Sequence, residues 1–118
     1  WRFGGLRNEF TILNDPKSGF ERQHGVRVAG PGQIQLLDNG LAAPSRMVRY
    51  LLNPATHTAL MQWQFTDAPG TYTLVGGSTQ YHPDGHATVS FGRAGRVNEV
   101  DPAGNRVWEL SGLDGIYV

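Results

Sequence analysis

Apolar and polar positions alternate most clearly between residues 45 and 65. Arg46-Met47-Val48-Arg49-Tyr50-Leu51-Leu52 reads as one strand, Asn53-Pro54-Ala55 as a turn, and Ala59-Leu60-Met61-Gln62-Trp63-Gln64-Phe65 as the strand that returns. In that return Met61, Trp63 and Phe65 share one face while Gln62 and Gln64 take the other, the period of a half-buried strand. The arrangement comes back, shortened, over residues 96–110, with a basic start at Arg96, an Asp101-Pro102-Ala103 turn and a Trp108-Glu109-Leu110 close. Trp1-Arg2-Phe3 is a third copy of that close and predicts the end of a strand whose partners lie upstream.

Other elements fall into place around this repeat. Residues 23–28 and 33–38 predict a hairpin across Ala29-Gly30-Pro31-Gly32, ended by the turn dipeptide Asn39-Gly40. With the two strands of residues 45–65 they make one four-stranded antiparallel sheet over residues 23–65. A second unit covers residues 74–110, with Ala87, Val89 and Phe91 on one strand face and His82-Pro83-Asp84-Gly85 as a turn. Residues 6–22 carry Asn-Asp-Pro and Lys-Ser-Gly turn signals without periodicity and predict an irregular connector. Connectors longer than about 12 residues without structure of their own are often functional.

Trp63 and Trp108 stand 45 residues apart, the period of a four-stranded propeller blade. The fold expected is therefore all-β. It comprises the end of one blade (1–5), a connector (6–22), two four-stranded blades (23–65 and 74–110) and the start of another (111–118), within one partial propeller domain. A ring needs at least about four blades, and each blade buries its faces against neighbours. Exposed apolar faces and strand edges are expected to be covered by missing blades or by copies of the same chain. An opening at Trp1, with neither initiator methionine nor signal peptide, agrees with a processed or excised piece.

Composition narrows the partners. Ten basic residues balance ten acidic ones, so there is no electrostatic case for nucleic acid or an anionic membrane surface. No apolar run reaches the roughly 18 residues of a membrane-spanning helix. Sixteen glycines and seven prolines suit short strands and tight turns, and the absence of cysteine excludes disulfides and thiolate chemistry.

Several motifs occur in a fixed order: Gln23-His24-Gly25-Val26, Leu36-Leu37-Asp38-Asn39-Gly40, Pro44-Ser45-Arg46, Val48-Arg49-Tyr50, Asn53-Pro54-Ala55-Thr56, Gln62-Trp63-Gln64-Phe65, Gly76-Gly77-Ser78-Thr79-Gln80 and Arg96-Val97-Asn98-Glu99-Val100-Asp101-Pro102. Together they resemble the arylsulfotransferase-like β-propeller family over nearly the whole chain. The resemblance implies a six-bladed propeller, of which this chain is the C-terminal part, in an extracellular or periplasmic setting. It further implies sulfuryl transfer between an aryl sulfate and a phenol, with no cofactor or nucleotide donor, through a transiently sulfated histidine facing the central channel.

His24 is the one candidate for that histidine, because Gly77 fills the equivalent place in the second unit. The plainer reading of His24 is a hydrogen-bonded structural residue. Arg46 and Arg93 are candidates to steady a sulfate by charge-assisted hydrogen bonds. The alternative is carboxylate pairing at a blade edge, favoured by the repeat mate Arg96. Asn39 and Asp38 are candidates for contact with substrate or a cation, with a turn role as the alternative. His82 and His86 flank a turn rather than lie on a helix, so no zinc pair is read there. His57 is expected on an outer turn in solvent. Trp1, Trp63 and Trp108 are read as blade-packing residues before any sugar-stacking role.

Overall fold

Nine strands form two sheets in the computed structural model, which describes residues 1–68, 70–113, 115, 116 and 118. Sheet A contains β1 (Thr11–Leu13), β2 (His24–Gly30), β3 (Gln33–Asp38), β4 (Arg46–Asn53) and β5 (Thr58–Thr66), in the spatial order β1-β5-β4-β3-β2. Sheet B contains β6 (Ser78–Tyr81), β7 (Ala87–Ser90), β8 (Val97–Val100) and β9 (Arg106–Leu110), paired in chain order and antiparallel throughout. The chain is all-β: among the described residues the helical content is one 3-10 turn at Gly92–Ala94. No helix among them is long and apolar enough to cross a membrane.

Strands β2 to β5 form the antiparallel meander that the alternation predicts, but the sheet carries an extra member. Strand β1 lies inside the stretch read as an irregular connector and pairs in parallel with β5 through Thr11, Ile12 and Leu13. Three residues are too few for a period of two to stand out. Residues 1–3 form no strand; Phe3 instead packs edge-on against Phe10, Phe20 and Tyr50 at ring separations of 5.1 to 5.4 Å. The aromatic residues near the start of the chain thus close over one face of sheet A.

That face presents Ile12, Ile34, Leu36, Val48, Tyr50, Leu52, Ala59 and Met61 to Phe3, Phe10 and Phe20. The opposite face sets Leu37, Met47, Trp63 and Phe65 against Ala87, Val89, Phe91 and Val100 of sheet B. Met61 therefore does not share a face with Trp63 and Phe65, contrary to the strict alternation. The ladder opposes Arg49 to Trp63 and Tyr50 to Met61, which leaves Gln62 as the extra residue of a bulge. One inserted residue reverses the facing of everything beyond it.

Beneath the aromatic lid lies a buried charge cluster. Arg46, 1% exposed, donates from Nε to Asp38 at 2.9 Å and from Nη1 to Asp15 and Gln64, each at 2.8 Å. From Nη2 it reaches Asp15 at 3.1 Å and the Gly19 carbonyl at 2.7 Å. All the N–H donors of a guanidinium are thereby used. Asp15 also accepts from Tyr50 Oη and from the Lys17 and Gly19 amides. One arginine thus ties the connector to the ends of β3 and β4.

Arg46→Leu leaves Asp15 and Asp38 buried without a cation and is expected to cost roughly 3–5 kcal/mol. Arg96 is about a quarter exposed and shares Asp67 with Arg106, so Arg96→Leu is expected to cost only about 1 kcal/mol. Urea unfolding of the two variants checks the ranking, and equal losses would contradict it.

Candidate functional site

Sheets A and B come closest where β2 and β6 begin, and glycine makes the approach feasible. Gly25 has φ +59, and a Cβ there would stand 2.5 Å from the Ser78 Cα. Gly77 has φ +103, and its Cβ would meet Leu37 Cδ2 at 2.3 Å and the Ser90 carbonyl oxygen at 2.5 Å. No side chain fits at Gly77, so the second sheet has no room for a counterpart of His24. Thr79 Oγ1 donates to the Gly25 carbonyl at 3.0 Å and pins the two strands together.

His24 sits half-buried in this seam with both ring nitrogens engaged. Nδ1 lies 3.0 Å from the Arg22 carbonyl and 2.9 Å from Asn39 Oδ1, while Nε2 accepts from the Gly76 amide at 3.3 Å. A carbonyl only accepts and an amide N–H only donates, so Nδ1 carries the proton and Nε2 presents the lone pair. Asn39 is fully buried, and its Nδ2 donates to the Thr73 and Gly76 carbonyls at 3.0 Å each. Ser45 closes the network, donating to the Asn39 carbonyl at 2.9 Å and accepting from the Thr73 amide at 3.0 Å. This seam joins the start of β2, the end of β3 and the segment that leads into sheet B.

The other candidates lie elsewhere. Arg46 points into the buried cluster, and Asp38 there accepts from Arg46 and from the Glu21 amide. Arg93 is exposed on the 3-10 turn, and its amide reaches the Val75 carbonyl at 3.4 Å, one residue from Gly76. Arg96 pairs with Asp67 and Glu109. His82 turns to Thr88 and His86 to Glu99, each at 2.8 Å. His57 is exposed and stacks on Phe10. Trp63 packs into the seam between the sheets, whereas Trp108 is 50% exposed on the far face of sheet B and Trp1 is 65% exposed. A cleft of about 730 Å³ opens between residues 4–6, 17–23 and 38–43, lined by Lys17, Phe20, Arg22 and Leu41 among others but not by His24 or Asn39.

Residues that the motifs did not single out do much of the positioning. Asp15 anchors Arg46 as Asp67 anchors Arg96, and each aspartate side chain is fully buried, Asp15 in the segment that leads into β2 and Asp67 in the segment that leads into sheet B. The signal was present as Asp15-Pro16-Lys17-Ser18-Gly19 and Asp67-Ala68-Pro69-Gly70-Thr71, two aspartates each followed by proline and glycine. Burial opposes ionisation of Asp15. Hydrogen bonds from Arg46, Tyr50 and the Lys17 amide outweigh it and hold the carboxyl below the ordinary carboxylate range. Burial, with the bond to Asp15, pushes the Tyr50 phenol above its usual range.

The family model for Arylsulfotransferase (ASST) matches residues 1–112, and the chain belongs to that family. Among curated proteins no match was found.

A carboxyl with a lower pKa folded than unfolded contributes stability above the unfolded value, about 3.9 for aspartate, and loses it as pH falls through the folded value. Stability of the chain is therefore expected to decline below about pH 4, and Asp15→Asn to flatten that part of the curve while lowering stability at pH 7. Thermal unfolding from pH 7 to pH 2 checks this; an unchanged acid slope in the variant would count against the assignment.

Proposed function

We propose that the chain supplies two consecutive blades of a β-propeller arylsulfotransferase, extracellular or periplasmic, in which His24 carries the sulfuryl group between phenolic compounds. The observation that carries this reading is the tautomer of His24. With Nδ1–H tied to Arg22 and Asn39, Nε2 holds the lone pair a nucleophile needs. In the first step Nε2 attacks the sulfur of an aryl sulfate, the N–S bond forms, the S–O bond to the aryl group breaks and a phenolate leaves. In the second an acceptor phenol oxygen attacks the same sulfur, the N–S bond breaks, and the acceptor's proton is lost to solvent or a base.

Gly76 must withdraw its amide for Nε2 to react, and at 3.3 Å that hydrogen bond is long. Arg46 has no free donor to offer a sulfate. Arg93, exposed and next to the Val75-Gly76 segment, is the better placed of the two arginines to steady the anion. Asn39, its amide spent on Thr73 and Gly76, acts on His24 rather than on substrate.

The test uses the native protein that carries this chain, assayed for sulfuryl transfer from 4-nitrophenyl sulfate to a phenol. His24→Ala is expected to lower turnover by about a thousandfold or more. Turnover near the wild-type level would remove the catalytic reading.

A second reading, a non-catalytic piece that associates through its open sheet, draws on Trp108. This residue stands opposite Glu99 in β8 as Trp63 stands opposite Arg49 in β4, yet where Trp63 meets sheet B, Trp108 and Leu110 remain 50% and 41% exposed. The face is proposed to receive a further sheet of the same kind, from the same protein or from a copy of this chain. The 118-residue chain alone is expected to sediment as an oligomer that Trp108→Ser dissociates; a monomer at about 100 μM would rule out self-association, since even a weak contact would be populated at that concentration.

A further inference from the structure

We infer that Asn39 is the positioning residue of the His24 site, and that Nε2 is uncovered by movement of Gly76 and not by rotation of the imidazole. One carboxamide makes three bonds that meet on both sides of the ring. Its Oδ1 accepts a hydrogen bond from Nδ1–H of His24, and its Nδ2 donates to the carbonyls of Thr73 and Gly76. The same peptide segment that Asn39 fixes delivers the Gly76 amide to Nε2.

Turning the ring over would bring carbon to three partners at once, Cδ2 to the Arg22 carbonyl and Asn39 Oδ1 and Cε1 to the Gly76 amide. Shifting Gly76 breaks one long hydrogen bond at the ring. Gly76 has φ +75, a region glycine occupies without steric cost, so its peptide has freedom that a residue with a Cβ lacks. Asn39, in contrast, is held on every side: it is fully buried, and its own carbonyl accepts from Ser45 Oγ. The Val75–Gly76 peptide is tied at its carbonyl to Thr73 Oγ1 at 2.9 Å and to the Arg93 amide at 3.4 Å, so the movement that uncovers Nε2 is a tilt of its N–H about that anchored carbonyl.

The inference rests on the proposed function for what Nε2 does, but its test needs no turnover. Nitrogen-15 NMR of the imidazole is expected to report the Nδ1–H tautomer for His24 in the folded wild-type chain. An Nε2–H tautomer, or a mixture, would overturn the inference without any variant. Asn39→Asp keeps an acceptor for Nδ1–H and loses the donors to Thr73 and Gly76. It is expected to retain the tautomer, raise hydrogen exchange at the Gly76 amide about tenfold, and raise the rate at which diethyl pyrocarbonate modifies His24 by a similar factor. Unchanged exchange and modification in a folded Asn39→Asp variant would overturn the coupling. Loss of transfer activity in His24→Ala, or its retention, leaves these readouts untouched, so failure of the catalytic reading and failure of this one are told apart.

Discussion

A guanidinium buried among carboxylates sets the geometry of everything around it. Arg46 joins Asp15 of the connector, Asp38 at the end of β3 and Gln64 of β5, so three separate stretches of chain converge on one group. An isolated ion in such a place costs several kcal/mol, and only a complete set of partners offsets it. The register of β3 on β4 and the course of the connector are therefore coupled: a slip in either leaves a buried charge unpaired. With that register fixed, Asn39 follows Asp38 out of the strand and faces the seam between the sheets.

The seam depends on close backbone approach as much as on polar bonds. Gly25 and Gly77 let β2 and β6 begin almost in contact, and no side chain fits at either position. Around it the polar groups largely satisfy one another. His24, Asn39, Ser45 and the carbonyl or amide groups of Arg22, Thr73 and Gly76 form a closed set, and a network of that kind rigidifies whatever it holds. The histidine is thus ordered, with one tautomer set by its partners, and covered by a glycine peptide.

The meander β2 to β5, the second sheet and the repeat of Trp63 at Trp108 were legible because a sustained period of two places alternate side chains on opposite faces, which a helix cannot do. The bulge at Gln62 was not, since it depends on how β4 pairs with β5, and neither strand alone records it. Strand β1 was hidden by its length. His24 could be named from a motif, but its tautomer comes from atoms at positions 22, 39 and 76, which no local pattern brings together. Arg46 illustrates the limit most clearly. As a basic residue opening a strand it suits an anion site or a structural ion pair; the repeat mate Arg96 tips the reading toward the pair, but its partners, Asp38 and the distant Asp15 in a stretch read as irregular, appear only in the fold.

Whether a covered nitrogen suits a nucleophile is a question of magnitude. The bond from the Gly76 amide is worth about 1 kcal/mol net, and less at its observed length. Losing it slows a reaction by less than about tenfold, whereas enzymes lower barriers by roughly 8 kcal/mol or more. Under the proposed mechanism, an amide tilted off Nε2 stays close to that nitrogen, where a sulfuryl oxygen would need a donor. An amide that first donates to the lone pair of the nucleophile and then faces the charge on the transferred group stabilises the later state more strongly, because bonds to ionised acceptors are roughly twice as strong as neutral ones. On the proposed reading, the cover over Nε2 is thus compatible with transfer.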